Sequence, residues 1–549
     1  MRYICTSIVA TLVLAGTSLA ATINVPADYT TIQAAIDAAS NGDEILVAPG
    51  MYTDTQDGHV VDMKGKSILL RSLGGPEVTV IDGENARRGI ACFRSEYKDC
   101  VIDGFTIRNG YGVPHDYDAS GGTDHWEDDG GGILTCLNSH PTIRNCIITN
   151  GSAVNGGGIG CYETYPTIIG CTISNNTAEA GGGIFLSGSR ASFIDCTISG
   201  NSASDRGGGV LSINDSDAGF FNCTISNNAA DSGGGIYLSG SPTLTDCTIT
   251  GNVAANNGGG MVWEDSSLSM IGCLVDSNSA INGGGIWNTA IWGTQEDNIP
   301  LLDSCIISNN TASENEGGIY LRFHNANMID CSFTGNEAVA GSGGGVSVSR
   351  SSATFIRCLI NENFAGANGG GVSHYKYQLQ FIDCLIVNNT AGIDGGGYIR
   401  WKSGNDALFS GTSVCSNTAD QIYGTWRDLG NNTVGTTCIG MGACCLDDSC
   451  WIDSEDDCVA SDGSYVGDNT ACTDCPPPDD DPYGACCANG LCVSITLEEC
   501  FEIEGSYAGD EVACADAGCP TYCDGDTNKD GTVNMTDLLT VIADWGICP

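Results

Sequence analysis

Apolar and polar residues alternate with a period of two through most of this chain. In "FIDCTIS", residues 193–199, Ile194, Cys196 and Ile198 fall on one side, and Phe193, Asp195 and Thr197 on the other. Such alternation marks a strand, because successive side chains leave a strand on opposite faces. No part of the central region shows the 3.6-residue period of a helix. A second regularity separates the short strands. A triplet GGG followed by an apolar residue begins at residues 130, 156, 181, 207, 233, 258, 283, 316, 343, 369 and 395, with Glu316 in place of the first glycine in one copy. The step between triplets is nearly constant, apart from one lengthened by "NTAIWGTQEDNIP".

Between triplets a phrase returns ten times from Cys146 to Cys384: Cys, an apolar residue two later, Asn five later and Ala seven later, as in Cys171–Ile173–Asn176–Ala178. Gly151 replaces the Asn in the first copy. A repeat of this length made of strands and turns is one rung of a stacked solenoid, a parallel β-helix of about 25 residues per rung. Rungs stack at roughly 4.8 Å, so eleven span on the order of 50 Å. The glycines suit tight bends, where a Cβ would clash. The Asn suits a turn, tolerating the left-handed backbone and bonding its own main chain; stacked amides can also bond one another along the column. The Cys, flanked by Ile two residues away on each side in Cys196, reads as a small buried hydrophobe. Inter-rung disulfides and a metal column are the alternatives. Parallel side chains rarely give the torsion a disulfide needs, and no His accompanies the column.

GGG-[IVM] with the Cys…Asn phrase resembles the repeats of polymorphic outer-membrane proteins, which alternate a GGA-[ILV] motif with an FxxN motif. The resemblance implies an all-β, right-handed parallel β-helix at a cell surface, and it implies no catalytic residue. The solenoid is expected over 21–438. Its opening, "INVPADYTTIQAAIDAASNGDEILVAPGMY", holds a short amphipathic helix: Thr30 and Gln33 have capping-box spacing, and Ile32, Ala35, Ile36 and Ala39 make one face. A helix there would cover the exposed edge of the first rung. This opening looks like the start of many secreted right-handed β-helix proteins, including pectin-modifying enzymes, although the polygalacturonase motifs (NTD, paired Asp, GHG, RIK) do not occur.

Composition narrows the partners. Sixty-seven acidic residues against 20 basic ones give a net charge of −47, which disfavours nucleic acid and favours cations. Thirty-one cysteines point to an oxidising compartment. Residues 1–20 read as a secretory signal, with Arg2, the apolar run "ICTSIVATLVLAG" and a small-residue site at Ser18–Leu19–Ala20. No other segment is apolar enough to span a membrane, so the expected location is extracellular or at the cell surface.

Candidate chemistry lies in three places. The loop 111–129 carries Asp116, Asp118, Asp124, Glu127, Asp128 and Asp129 with His115, His125, Tyr117 and Trp126. It is either a solvated acidic loop or a Ca²⁺ or carboxylate-pair site beside aromatics. The residues after each triplet vary most, and those expected on a polysaccharide-binding face are Trp263, Trp287, Arg322, His374, Tyr375, Lys376, Arg400, Trp401 and Lys402. Lys376, Arg400 and Lys402 suit an acidic sugar. The alternative is a lyase or glycoside hydrolase on the same face, with Lys376 or Arg400 as base.

The C-terminal part changes character. Two segments, 439–479 and 480–520, each hold six cysteines at near-identical spacing (Cys444, Cys445, Cys450, Cys458, Cys472, Cys475; Cys486, Cys487, Cys492, Cys500, Cys514, Cys519) and are expected to be two disulfide modules of open connectivity. In 521–549, "DTNKDGTVNMTD" places Asp526, Asn528, Asp530, Thr532, Asn534 and Asp537 at alternating ligand positions of a twelve-residue Ca²⁺ loop, with Gly531 at the turn. Cys523 and Cys548 bracket the unit. This end resembles a dockerin repeat, present once where dockerins have two. The resemblance implies a cohesin-like partner and attachment to a scaffold.

Overall fold

The computed structural model describes residues 20–53, 58–112, 129–264, 267–289, 299–323 and 325–436, and the backbone of 441–446, 449–454, 464–468, 484–488, 491–495 and 506–510. The signal-like segment up to residue 19, loop residues 113–128 and residues 526–537, expected to be a Ca²⁺ loop, lie outside the described residues. So do the side chains of 402–404.

The repeats form a right-handed parallel β-solenoid of about 14 turns. Each complete rung supplies one strand to each of four parallel sheets. The first sheet has 16 strands, from Thr22–Val25 to Trp426–Asp428; the second has 15, from Gly50–Tyr52 to Thr433–Gly435. The third has 10, from Ser152–Asn155 to Thr390–Ala391, and the fourth 14, from His59–Asp62 to Ile422–Tyr423. Register holds residue by residue: Ile173 faces Ile198, which faces Ile225, and each is buried. Identical side chains thus stack in columns along the axis, the arrangement that lets one rung's apolar residues find the same partners in the next.

The period-two reading of "FIDCTIS" is corrected at its centre. The segment is two three-residue strands, Ser192–Ile194 and Thr197–Ser199. Asp195 between them has φ +52° and turns the chain from the first sheet to the second. The corner resets the phase, so Phe193, Cys196 and Ile198 are buried while Ile194 and Thr197 stand on the outer surface. Phe193 accordingly stacks on Phe220, ring centroids 4.9 Å apart. The cysteine column from Cys146 to Cys384 is buried and unbridged, as a small hydrophobe would be. Its thiols donate to carbonyls, Cys196 Sγ for example to Ile194 O at 3.2 Å.

The asparagines do not occupy the left-handed corner; the residue before each does, as at Asn175 (φ +55°) and Gly200 (φ +64°). Asn176, Asn201, Asn228, Asn252, Asn278, Asn310, Asn336, Asn363, Asn389 and Asn417 instead form one buried ladder. Asn278 shows the pattern. Its Oδ1 accepts from Asn252 N (2.9 Å) and Asn252 Nδ2 (3.0 Å), and its Nδ2 donates to Ile249 O (2.9 Å) and Asn310 Oδ1 (3.0 Å). Gln421 ends the ladder, its Oε1 accepting from Asn417 N (3.0 Å) and Asn417 Nδ2 (2.9 Å). The ladder explains the triplet's third glycine. A Cβ on Gly260 would lie 3.0 Å from Asn278 Nδ2 and 2.7 Å from Gly285 O.

Among the described residues one helix, α1 (Ile32–Ala38), precedes the second strand of the first sheet. Its N-cap is Thr31 rather than Thr30: Thr31 Oγ1 accepts from Ala34 N at 3.1 Å. Gln33 is not part of a capping box. It exchanges two hydrogen bonds with the backbone of Asp62, 2.8 and 3.1 Å, in the first strand of the fourth sheet. Each Cys-rich segment carries one three-stranded sheet, 441–468 and 484–510; the second is antiparallel, Cys486 facing Val493. No helix among the described residues is long and apolar enough to cross a membrane.

Candidate functional site

The fourth sheet follows each triplet, and its alternation sorts the candidate residues. In the strand Ile319–Arg322, Ile319 and Leu321 are fully buried in the solenoid core, while Tyr320 and Arg322 point outward. Trp263 and His374 occupy the third, inward position of their strands. Both are 0% exposed, so neither can form part of an outer binding face, contrary to the sequence expectation. Burial holds the His374 imidazole below its usual pKa range. Its Nδ1 lies 2.6 Å from Tyr398 Oη and its Nε2 2.7 Å from Tyr377 O. Arg400 is in register with His374, and it is held by Asp406 (3.6 Å), Thr425 Oγ1 (2.6 Å) and Asn405 O (3.2 Å) rather than standing ready as a base. Lys376 lies over the Tyr375 ring, 5.4 Å from its centroid.

The outward second position forms a column that changes midway. Phe185, Leu211, Tyr237 and Val262 make a covered apolar stripe against which Trp287 packs, and Trp287 lies 4.4 Å from Tyr320 by ring centroids. The next two rungs have Ser347 and Ser373 in register with Tyr320. Two small side chains after a run of large ones leave a depression. The result is a cleft of about 320 Å³ lined by Glu316, Tyr320, Ser347, Ser373, Tyr375 and Trp401 among others. Trp401 closes it. The last long strand, Tyr398–Gly404, slips in register between His374 and Lys376. Such a bulge re-aims a side chain. The Trp401 indole, 40% exposed, donates from Nε1 to Ser373 Oγ at 3.1 Å.

Glu316 also lines this cleft, and no candidate site in the sequence included it. The first glycines of the triplets have φ between +60° and +78°, and Glu316 keeps the same backbone at φ +61°. A side chain at this place heads over the residue four later: a Cβ on Gly343 would meet Ser347 Cβ at 2.7 Å, and one on Gly283 Trp287 Cβ at 3.0 Å. Glu316 is thereby aimed across Tyr320 into the cleft. A non-glycine residue in this conformation is modestly strained, as the corner residues Asn175 and Asp195 also are. Desolvation pushes its carboxyl up to about 8, although Ser347 pulls the other way. At neutral pH it is therefore a hydrogen-bond donor as well as an acceptor. The signal was visible as EGG among GGG triplets.

Asp129, the described end of the acidic loop, is also buried and is pushed up to about 6 by desolvation. Its carboxylate accepts from Tyr162 Oη and from Asn155 N (2.7 Å), and its carbonyl from Arg88 Nη2 (2.8 Å). These bonds hold the buried Asp129 between neighbouring rungs. The loop's remaining carboxylates lie outside the described residues. No group of three or more metal-ligating side chains occurs among the described residues.

The family profile described as a right handed beta helix region matches residues 131–299 and 182–345. No curated protein matches the chain. Among solved structures, the chain is similar to the pectate lyase Pel9A, at 11% identity over 74% of this chain and 72% of that one, TM-score 0.23. It is similar to the A-module of the Azotobacter vinelandii mannuronan C-5 epimerase AlgE4, at 15% identity over 74% and 95%, TM-score 0.27. It is also similar to the Siphovirus 9NA tailspike receptor binding domain, at 12% identity over 76% of each chain, TM-score 0.23. The likeness is one of fold alone.

Proposed function

We propose that this protein is an exported β-helix whose fourth sheet binds a polysaccharide segment in the Glu316–Trp401 cleft without cleaving it, and that its C-terminus attaches it to a partner. The observation that carries the reading is the cleft itself. An exposed indole and a tyrosine ring flank a floor of serine hydroxyls and a protonated carboxyl, which matches a sugar's apolar faces and its hydroxyl rim. Among the described residues one carboxyl, Glu316, lines the cleft, whereas the usual glycoside hydrolysis uses two. That favours binding over turnover. Export rests on the signal-like segment 1–20.

The test is retention of the full chain on a panel of neutral and acidic polysaccharides with Ca²⁺ present, scored together with product release. Trp401→Ala is expected to weaken retention by roughly tenfold, the loss of one stacking ring. Release of reducing or unsaturated ends would turn the assignment to a lyase or hydrolase. The attachment role rests on the Ca²⁺ loop from Asp526 to Asp537 and its resemblance to a dockerin repeat, which makes a cohesin-like protein the partner. Calorimetric titration of the full chain should lose one Ca²⁺ site when Asp526 and Asp530 are both replaced by Ala. Unchanged stoichiometry would remove the metal from this reading.

A further inference from the structure

The described residues contain ten ion pairs, in which Lys64, Arg71, Arg87, Arg94, Arg108, Arg144, Arg190, Arg206, Arg357 and Arg400 each meet a carboxylate. In a chain of net charge −47, a guanidinium without such a partner is the exception. Two of the exceptions converge. The guanidinium carbons of Arg322 and Arg350 lie 4.8 and 5.5 Å from the centroid of one ring, Phe323. Register brings them together: Arg322 ends its strand opposite Ser349 of the next rung, and Arg350 follows Ser349 directly. Ser349 and Tyr320 both line the cleft, so the two arginines stand at its edge. Glu316 precedes the strand that Arg322 ends, so the carboxyl and the two guanidiniums stand at opposite ends of Tyr320's strand.

We infer that Arg322 and Arg350 form a subsite for an anionic substituent of the bound saccharide, a uronate carboxylate or a sulfate ester. The inference rests on the saccharide-binding reading of the cleft. Two like charges held near one apolar ring repel each other, and an anion bound beside either guanidinium offsets that repulsion while taking forked hydrogen bonds from a planar donor. Phe323 sets their spacing by cation–π contact with both.

Three immobilised polymers separate the outcomes: polygalacturonate for the carboxylate, dextran sulfate for the ester and dextran as the uncharged control. The full chain is expected to bind at least one acidic polymer in preference to dextran. Arg322→Gln with Arg350→Gln should weaken that binding on the order of ten- to a hundredfold and flatten its dependence on salt. Arg322→Lys with Arg350→Lys, which keeps the charge and the packing length, should retain the salt dependence. Which acidic polymer responds identifies the substituent. Preference for dextran, or acidic binding indifferent to the Gln pair but sensitive to Trp401→Ala, overturns the anion subsite and leaves the cleft reading standing. Retention on none of the three, or retention indifferent to Trp401→Ala as well, overturns the cleft reading and the inference with it.

Discussion

Replacing Asn278 with Ala is expected to cost the solenoid about 3–5 kcal/mol, the sum of two or more orphaned buried groups at roughly 1–3 kcal/mol each. The side chain is buried at the middle of the ladder. Its removal strands Asn252 N and Asn252 Nδ2, which both donate to Asn278 Oδ1, and leaves Ile249 O without the amide that satisfies it. The stranded groups lie inside the solenoid, where Gly260 packs on the Asn278 amide and Gly285 on that of Asn310. Urea unfolding of the full chain measures the loss. Rungs couple to their neighbours alone, so unfolding should begin at the damaged rung and become less cooperative. Removing Asn252 as well should cost less than twice as much, since the pair shares its bonds. Gln421→Ala, at the ladder's end, should cost about 1–2 kcal/mol, because solvent is near enough to answer Asn417. Equal costs at the middle and the end would show that the ladder is not a cooperative element.

The second large effect has the opposite sign. Glu316→Gly is expected to raise stability by about 1–2 kcal/mol at pH 5 through relief of left-handed backbone strain, less what the freer unfolded glycine gives back. The gain should grow with pH. Folding holds the Glu316 carboxyl near 8 against the ordinary glutamate value of 4.5. Between those values the unfolded chain sheds a proton that the folded chain keeps, so the wild-type solenoid loses stability as pH rises, and the loss levels off above about 8. Glycine cannot titrate, so the variant's stability curve should lack this slope. The same substitution should lower saccharide retention, as should raising the pH through 8 in the wild type, because the carboxyl then ceases to donate. Thermal unfolding across pH 5 to 9, beside retention, tests both halves. A variant that is no more stable than wild type would remove the strain argument. One that is more stable and binds equally well would remove Glu316 from the site.

How far the sequence could be read depended on what each property needs. The rung length, the parallel stacking and the inward cysteines follow from periodicity, because a repeat of nearly constant length with aligned apolar positions has few other ways to bury them. Glu316 was legible too, as the single carboxylate in a column of glycines. Trp263 and His374 were misplaced because an aromatic residue after a triplet looks like surface variation until its parity along the strand is counted; both fall on the odd, inward position. Ile194 was misplaced because a local alternation does not reveal the corner at Asp195 that resets it. Other features belong to the tertiary structure alone. The two serines that hollow the cleft, Ser347 and Ser373, lie a full repeat apart along the chain, and so do Arg322 and Arg350. They become neighbours through the register between rungs. The indole over Ser373 depends on a slip in that register near the last rungs. The sequence by itself determined the coil and the contents of each column. Which outward side chains share a site, and which basic groups are left without a carboxylate, was decided by the alignment of one rung on the next, because only stacking brings residues a full turn apart to within about 5 Å.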